Sequence, residues 1–190
     1  MPPKIKVTKE DIINTALMLL KNEGEGAINA RRIAKELGAS TQPVFSNFEN
    51  MEELRNALSE ASYKLYLSFL TKESEGGKYP KYKAFGMAYI RFAKTEKELF
   101  KFLFMCDRSG KDLTPTSDFN ESVEIIMSQN GISREEAELM HLEIWASVHG
   151  IATMFATSFL SLDEELISRM LSDVYQGIRL SIKERNNDGN

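Results

Sequence analysis

A short segment near the N-terminus of the chain carries basic side chains followed by uncharged polar ones. Arg31 and Arg32 carry guanidinium groups, which pair with phosphate oxygens. Further along, Thr41 and Gln42 carry hydroxyl and amide groups that can hydrogen-bond to base edges. This combination indicates recognition of nucleic acid, in which phosphate contacts position the protein and base contacts read the sequence.

The residues between these groups predict two short helices joined by a sharp turn. Gly38 can adopt the left-handed conformation that ends the first helix, and Ala34 is small enough for close packing of the second. Ser40 is expected to cap the second helix, and Pro43 falls in its first turn. This is the spacing of a helix-turn-helix, although a compact helical hairpin without DNA-binding activity can show the same spacing.

Residues suited to catalysis or metal binding are sparse. His141 and His149 lie eight residues apart on one predicted helix, and Cys106 is the single cysteine, so they do not form a ligand set. The sequence contains no nucleophile motif and no glycine-rich phosphate loop. We therefore predict no enzymatic activity, no metal and no cofactor. The single cysteine fits a reducing, cytoplasmic location.

The charge of the chain is distributed unevenly. The 190 residues include 24 Lys and Arg against 28 Asp and Glu, a net charge of -4, which at first argues against a nucleic-acid partner. Residues 1–50 hold seven basic and six acidic residues, or +1, whereas residues 51–190 hold 17 and 22, or -5. The acidity therefore belongs to the part that need not contact phosphate.

The whole chain has the pattern of helices. Five pairs have the spacing of capping boxes, which satisfy backbone N–H groups at helix starts: Thr8…Asp11, Asn50…Glu53, Thr95…Glu98, Ser133…Glu136 and Ser161…Glu164. Further helices are predicted at about residues 29–37, 40–47, 81–94 and 117–129. The sequence therefore predicts an all-α fold of about nine helices, with a DNA-binding domain at residues 1–49 and a larger helical domain at 50–190.

A resemblance to a known family adds to this interpretation. Residues 8–54 resemble the N-terminal domain of the TetR (tetracycline-repressor) family of bacterial transcription regulators. The matching residues are Ile12, Ala16, Leu19, Gly24, 28–34, 37–40, 44–48 and 50–54. Farther on, Trp145, His149 and Gly150 resemble the Trp-x-x-x-His-Gly motif of one C-terminal subgroup. The resemblance implies a homodimeric regulator, usually a repressor, that binds a palindromic DNA operator and is released by a small, mostly apolar effector.

The residues expected to contact DNA are Lys6, Lys9, Arg31, Arg32, Ser40, Thr41, Gln42, Val44, Phe45 and Asn47. Three positions depart from the family pattern, because Phe45, Asn47 and Met51 stand where the family usually has Tyr, His and Lys. Loss of a hydroxyl and of a charge predicts weaker phosphate binding than is typical. The available substitutes are the basic arm of Lys4, Lys6 and Lys9 and the pair Arg31 and Arg32, of which Arg31 ranks first because the family often has Arg there.

The C-terminal region is rich in Phe and Met, which fill a deformable core and can line a ligand pocket. The candidate pocket residues, expected on inward faces, are Phe92, Phe104, Met105, Met127, Trp145 and His149. His149 can either orient a ligand or bond to a backbone carbonyl, and Trp145 lies on the same helix face. His141 is expected on the surface.

The last two helices carry more apolar positions than one core needs. The candidate dimer contacts are Met154, Phe155, Phe159, Met170, Val174, Tyr175 and Ile178, and the family pairs these two helices as a four-helix bundle. Because Ile144–Leu162 lacks charge but contains many polar residues, we expect no membrane span but a helix buried on nearly every side, within its own domain and against a partner. The departures at Phe45 and Met51 leave an alternative, a helical small-molecule-binding or adaptor protein with weakened or lost DNA binding.

Overall fold

The computed structural model describes residues 7–107 and 117–188, in which the chain forms nine α-helices, one 3-10 turn at Glu25–Ala27 and no strand. The helices are α1 (Lys9–Glu23), α2 (Ala30–Glu36), α3 (Gln42–Asn47), α4 (Met51–Ser74), α5 (Lys81–Thr95), α6 (Lys97–Phe104), α7 (Ser117–Asn130), α8 (Arg134–Ala156) and α9 (Glu164–Asp188). The all-α prediction is confirmed.

The chain divides into two compact units. The first unit comprises the described residues up to Ser68 together with Glu96–Cys106, and the second comprises Phe69–Thr95 with the described residues from Asp107 onwards. The first unit thus takes in α6 and most of α4 along with α1–α3. The boundary between a DNA-binding domain and a larger helical domain after residue 49 remains a prediction from the sequence.

In the first unit, α1 is the central helix, since α2, α3 and α6 all pack against it. Its buried face has the helical spacing that the sequence shows, with Ile12, Ala16 and Leu19 almost completely shielded from solvent. From α6, Leu99 and Phe100 are buried in the same unit. The core of the first unit is therefore built on a helix that itself carries no predicted base-reading residue.

In the second unit, α5 packs against α8, and α7 and α9 pack against α8 as well. The buried face of α8 repeats at helical spacing through Met140, Ile144, Val148 and Ile151. Its other face is exposed in the single chain, so the burial of α8 on nearly every side, which was expected to include a partner, remains a prediction. None of the helices in the described ranges 7–107 and 117–188 is long and apolar enough to span a membrane.

The helix caps confirm some sequence predictions and correct others. Thr8 and Ser133 form complete capping boxes at α1 and α8. Asn50 accepts a bond from the backbone of Glu53, but the Glu53 carboxylate accepts from the backbone N–H of Glu49.

At three helices the predicted cap is wrong. The Thr95 hydroxyl bonds back to the Arg91 carbonyl, and α6 begins after Glu96 without a side-chain cap. At α9, Asp163 instead of Ser161 accepts the N–H of Leu166 at 2.7 Å. At α3, the cap position belongs to Thr41 instead of Ser40, and no side chain caps it.

Two of the three serines predicted as caps, Ser133 and Ser161, provide a matched test of helix stability. Ser133→Ala should lower the free energy of unfolding by about 1 kcal/mol, because the N–H of Glu136 loses its acceptor. Ser161→Ala should change it by less than about 0.3 kcal/mol, because the α9 cap bond comes from Asp163. Chemical denaturation followed by circular dichroism measures both variants, and equal losses would contradict the cap assignment.

Candidate functional site

The helix-turn-helix predicted from the sequence is formed by α2 and α3 in the first unit. Asn29 caps α2 by accepting the N–H of Arg32 at 2.9 Å. Gly38 ends the helix with φ +62°, and the N–H of Ala39 donates to the Ala34 carbonyl at 2.9 Å. A left-handed residue at this point favours glycine, and it lets the chain reverse into α3 within a few residues.

The outer face of α3 presents one amide and one aromatic ring. Gln42 is exposed, and Phe45, one turn later, is 54% exposed. The Ser46 hydroxyl is also on this surface, but it donates to the Gln42 carbonyl at 2.9 Å. Before α3, Ser40 is exposed and Thr41 is half-buried. The polar reading group that α3 itself offers is therefore the Gln42 amide.

Two of the residues expected to contact DNA have inward roles. Val44 is 1% exposed, so its side chain belongs to the core and is corrected to a packing residue. The Asn47 amide donates to the Pro43 carbonyl at 2.8 Å and lies 3.5 Å from the Val7 carbonyl. A phosphate would therefore have to compete for donors that hold the end of α3.

The two adjacent arginines differ in their surroundings. Arg32 is half-buried and donates to Glu23 at 2.5 and 3.1 Å and to Glu36 at 2.7 Å. The pKa of Arg32 is raised mainly by its hydrogen bond to Glu23 and also by its hydrogen bond to Glu36. The hydrogen bond between Arg32 and Glu23 also lowers the pKa of Glu23. Arg31 is exposed, and no ion pair joins it to the residues that the structure describes. The predicted phosphate contact therefore fits Arg31 better than Arg32.

The basic arm is only partly within the described residues. Lys6 and Lys4 lie outside them. Lys9 pairs with Glu53 at 2.9 Å, and its ammonium group lies 4.6 Å from the centre of the Phe48 ring. Lys9 therefore links α1 to the start of α4, where the half-buried Met51 stands.

The predicted ligand residues are divided between the two units. Phe104 and Met105 belong to the first unit, whereas Phe92, Met127, Trp145 and His149 belong to the second. Phe92 is buried and Met127 is half-buried. Met105 and Trp145 are exposed, which corrects the placement of these two residues on inward faces.

Both histidines form a hydrogen bond to a tyrosine of α5. His149 Nδ1 lies 2.9 Å from the Tyr89 hydroxyl, and its ring stacks on Trp145 at 4.8 Å. Burial lowers the pKa of His149, which favours the neutral form of the ring. His141 Nδ1 lies 2.9 Å from the Tyr82 hydroxyl, and the half-buried ring corrects the surface prediction. Neither tyrosine was among the predicted site residues. The sequence signal that could have indicated them is their seven-residue spacing on α5.

An open cleft of about 320 Å³ lies elsewhere in the second unit, at the end of α4 and the beginning of α5. Its lining includes Tyr79, Met87 and Arg91, and none of the six predicted ligand residues. The predicted pocket around Phe92 and His149 therefore remains a prediction.

The predicted dimer contacts divide between the surface and the core. Phe155 is 4% exposed and is corrected to a core residue, while Phe159 is 80% exposed. Met154 and Met170 are exposed, whereas Val174, Tyr175 and Ile178 are half-buried. The exposed apolar surface of α8 and α9 also includes residues that were not among the predicted dimer contacts: Leu139, Leu142, Trp145, Leu166 and Leu180.

Comparison with known proteins points to one class of protein. No family model matches the chain. An uncharacterized HTH-type transcriptional regulator of Mycobacterium tuberculosis is 21% identical over 159 residues, which cover 82% of this chain and 73% of that protein. Tetracycline repressor protein class C of Escherichia coli is 38% identical over 56 residues, covering 30% of this chain and 26% of the repressor.

Solved structures share the fold over nearly the whole chain. A protein of unknown function from Rhodococcus sp. RHA1 superposes with a TM-score of 0.73 at 20% identity, covering 93% of this chain and 98% of that one. Apo ActR from Streptomyces coelicolor gives 0.56 at 17% identity, covering 96% and 100%. A proposed transcriptional regulator, a TetR family protein from Vibrio parahaemolyticus, gives 0.60 at 13% identity, covering 88% and 96%. These three structures are at most 20% identical to this chain and show the fold that it shares with them, while the two sequence relatives are a transcriptional regulator and a repressor.

Proposed function

We propose that this protein is a homodimeric transcriptional repressor that binds a palindromic operator through α3 and is released by a small effector. The observation that carries the proposal is the helix-turn-helix, which presents Gln42, Phe45 and Arg31 on its surface while Val44 anchors α3 in the core. The names of the relatives, an HTH-type regulator and a tetracycline repressor, support the same function.

DNA affinity in this proposal depends on few phosphate contacts. Glu23, Glu36 and Glu53 already neutralise Arg32 and Lys9 within the first unit. Arg31 and Lys35 are then the exposed cations of α2, the helix that precedes α3. The Gln42 amide can form a two-point contact with adenine in the major groove, which provides sequence preference.

Dimerisation supplies the second half-site that one six-residue reading helix needs. The exposed apolar residues of α8, of α9 and of the segment between them, Leu142 and Phe159 among them, form a surface that a second copy can bury. The effector would bind the apolar core region around Phe92, Met127 and His149, and the Trp-x-x-x-His-Gly resemblance is part of this proposal.

A second candidate function is favoured by the surroundings of Lys9, Arg32 and Asn47. All three use their donors inside the first unit, and Met51 adds no charge. A helical adaptor or small-molecule-binding protein with weakened or lost DNA binding would show these features. Selection of bound DNA from a random pool distinguishes the two, because only the regulator enriches a palindromic sequence whose binding falls steeply with salt.

Replacement of Arg31 tests the phosphate contact. Arg31→Ala should weaken binding to the selected operator and to scrambled DNA alike, by about tenfold or more, because a charged hydrogen bond is lost. The slope of log affinity against log salt should become shallower by about 1. Fluorescence anisotropy at several salt concentrations measures both. Arg169→Ala, an exposed arginine of α9, is the matched control, and an unchanged affinity for Arg31→Ala would refute the contact.

Replacement of Gln42 tests base reading. Gln42→Ala should weaken operator binding by about five- to 100-fold, with little change on scrambled DNA, because a base contact contributes only where its base is present. Ser46→Ala is the control on the same helix, since its hydroxyl bonds to the Gln42 carbonyl. Equal losses on both DNAs would assign Gln42 to the backbone instead.

Replacement of Leu142 tests the dimer surface. Leu142→Glu places a charge on the exposed face of α8 and should shift the protein from dimer to monomer in sedimentation equilibrium. Leu65→Glu changes a comparably exposed leucine of α4, 43% against 51%, and should leave the dimer intact. A monomeric unmodified protein, or equal dissociation of both variants, would contradict the assignment.

A further inference from the structure

Three hydrogen-bond donors of the second unit converge on one carboxylate oxygen. The Oε1 atom of Glu164, the first residue of α9, lies 2.7 Å from Lys78 Nζ, 3.1 Å from Tyr79 Oη and 3.3 Å from Arg91 Nη2. The bond from Lys78, followed by that from Tyr79, lowers the pKa of Glu164. This part of the second unit is therefore built to hold a carboxylate.

The same three donors line the open cleft of about 320 Å³ at the end of α4. The lining also includes Ala84, Met87 and Ala88 of α5, which are each at most 5% exposed and supply an apolar floor. Cationic and hydroxyl donors beside an apolar floor are the complement of a molecule with a charged head and a short apolar chain.

Glu164 itself is a replaceable occupant of this site. Its side chain and those of Lys78 and Arg91 are 44%, 66% and 40% exposed, and ion pairs at such exposure contribute little to stability. Glu164 can therefore turn towards water when another carboxylate takes its place. As a tethered competitor it also weakens the binding of any free carboxylate, which makes its removal informative.

The cleft also discriminates by charge. Glu73 lines it and forms an ion pair with Arg91. A ligand with two negative charges would be repelled by Glu73 and by the displaced Glu164, whereas a single charge can be matched by Lys78 and Arg91. A volume of about 320 Å³ at the lower end of ligand-site sizes suits a short chain.

We propose that this cleft binds a small monocarboxylate with a short apolar chain, whose head group replaces Glu164 on Lys78, Tyr79 and Arg91. The chain of the ligand lies on Met87 and Ala88. Binding would release the start of α9 from the loop between α4 and α5. The proposal goes beyond the proposed function, because it concerns the second unit alone and would hold for a protein that binds no DNA.

Calorimetric titration of the full chain with hexanoate, and with hexanol as the uncharged analogue, tests the site. Hexanoate should bind with a dissociation constant on the order of 1 mM, and hexanol at least about tenfold more weakly. Glu164→Gln should bind hexanoate about fivefold more tightly, because the tethered competitor is removed. Glu165→Gln removes the neighbouring charge of the same helix turn, and its affinity should stay within about twofold of the unmodified protein.

Lys78→Gln should weaken hexanoate binding about fivefold or more, since an exposed donor to the head group is lost. Circular dichroism spectra verify that each variant is folded. Three results would overturn the proposal: no hexanoate binding by any variant up to about 20 mM, equal binding of hexanol, or no gain in Glu164→Gln. Each of these outcomes is independent of the operator assays, so the failure of this site and the failure of DNA binding can be told apart.

Discussion

A close approach of three helices at Gly86 determines the arrangement of the second unit. A Cβ atom at this position of α5 would lie 3.3 Å from Cδ1 of Leu171 and 3.4 Å from Cγ2 of Val148, tighter than ordinary contact. Because glycine leaves this space free, the tyrosines on either side of it reach the histidines of α8. Tyr82 pairs with His141 and Tyr89 with His149, so both bonds advance in the same direction along the two helices. They fix the register of α5 on α8.

That register determines which face of α8 is left for other contacts. Val148 and Phe155 are buried in the core, whereas Leu142 and Trp145 are exposed, as are Met170 and Leu166 of α9. Burial raises the pKa of the Tyr82 hydroxyl, which therefore stays protonated as a donor. A pair of inward polar bonds thus accompanies an outward apolar surface, and that surface is what makes a second copy of the chain the natural partner in the proposed function.

The helix-turn-helix shows how far the type of a residue predicts its structural or DNA-binding role. The sequence located Gly38 and Ala34 at the turn correctly, because a left-handed residue and a close helix contact each permit few side chains. Residue type alone did not separate Arg31 from Arg32, and only the family resemblance ranked Arg31 first. That separation depends on Glu23, nine residues before Arg32, whose carboxylate reaches the guanidinium only when α1 and α2 are packed. The role of Asn47 likewise differs from the predicted phosphate contact, because its amide donates a hydrogen bond to the Pro43 carbonyl.

Local sequence patterns predict the all-α fold, the bounds of most helices and the helix-turn-helix, because helical periodicity, capping pairs and turn residues act over a few neighbouring positions. Which charges are neutralised within the protein, and which residues surround a cleft, depends instead on the packing of the helices. Glu164 meets Lys78 across 86 positions of sequence, and no local pattern encodes a contact at that separation. Such contacts arise only when packed helices bring distant side chains within hydrogen-bonding distance.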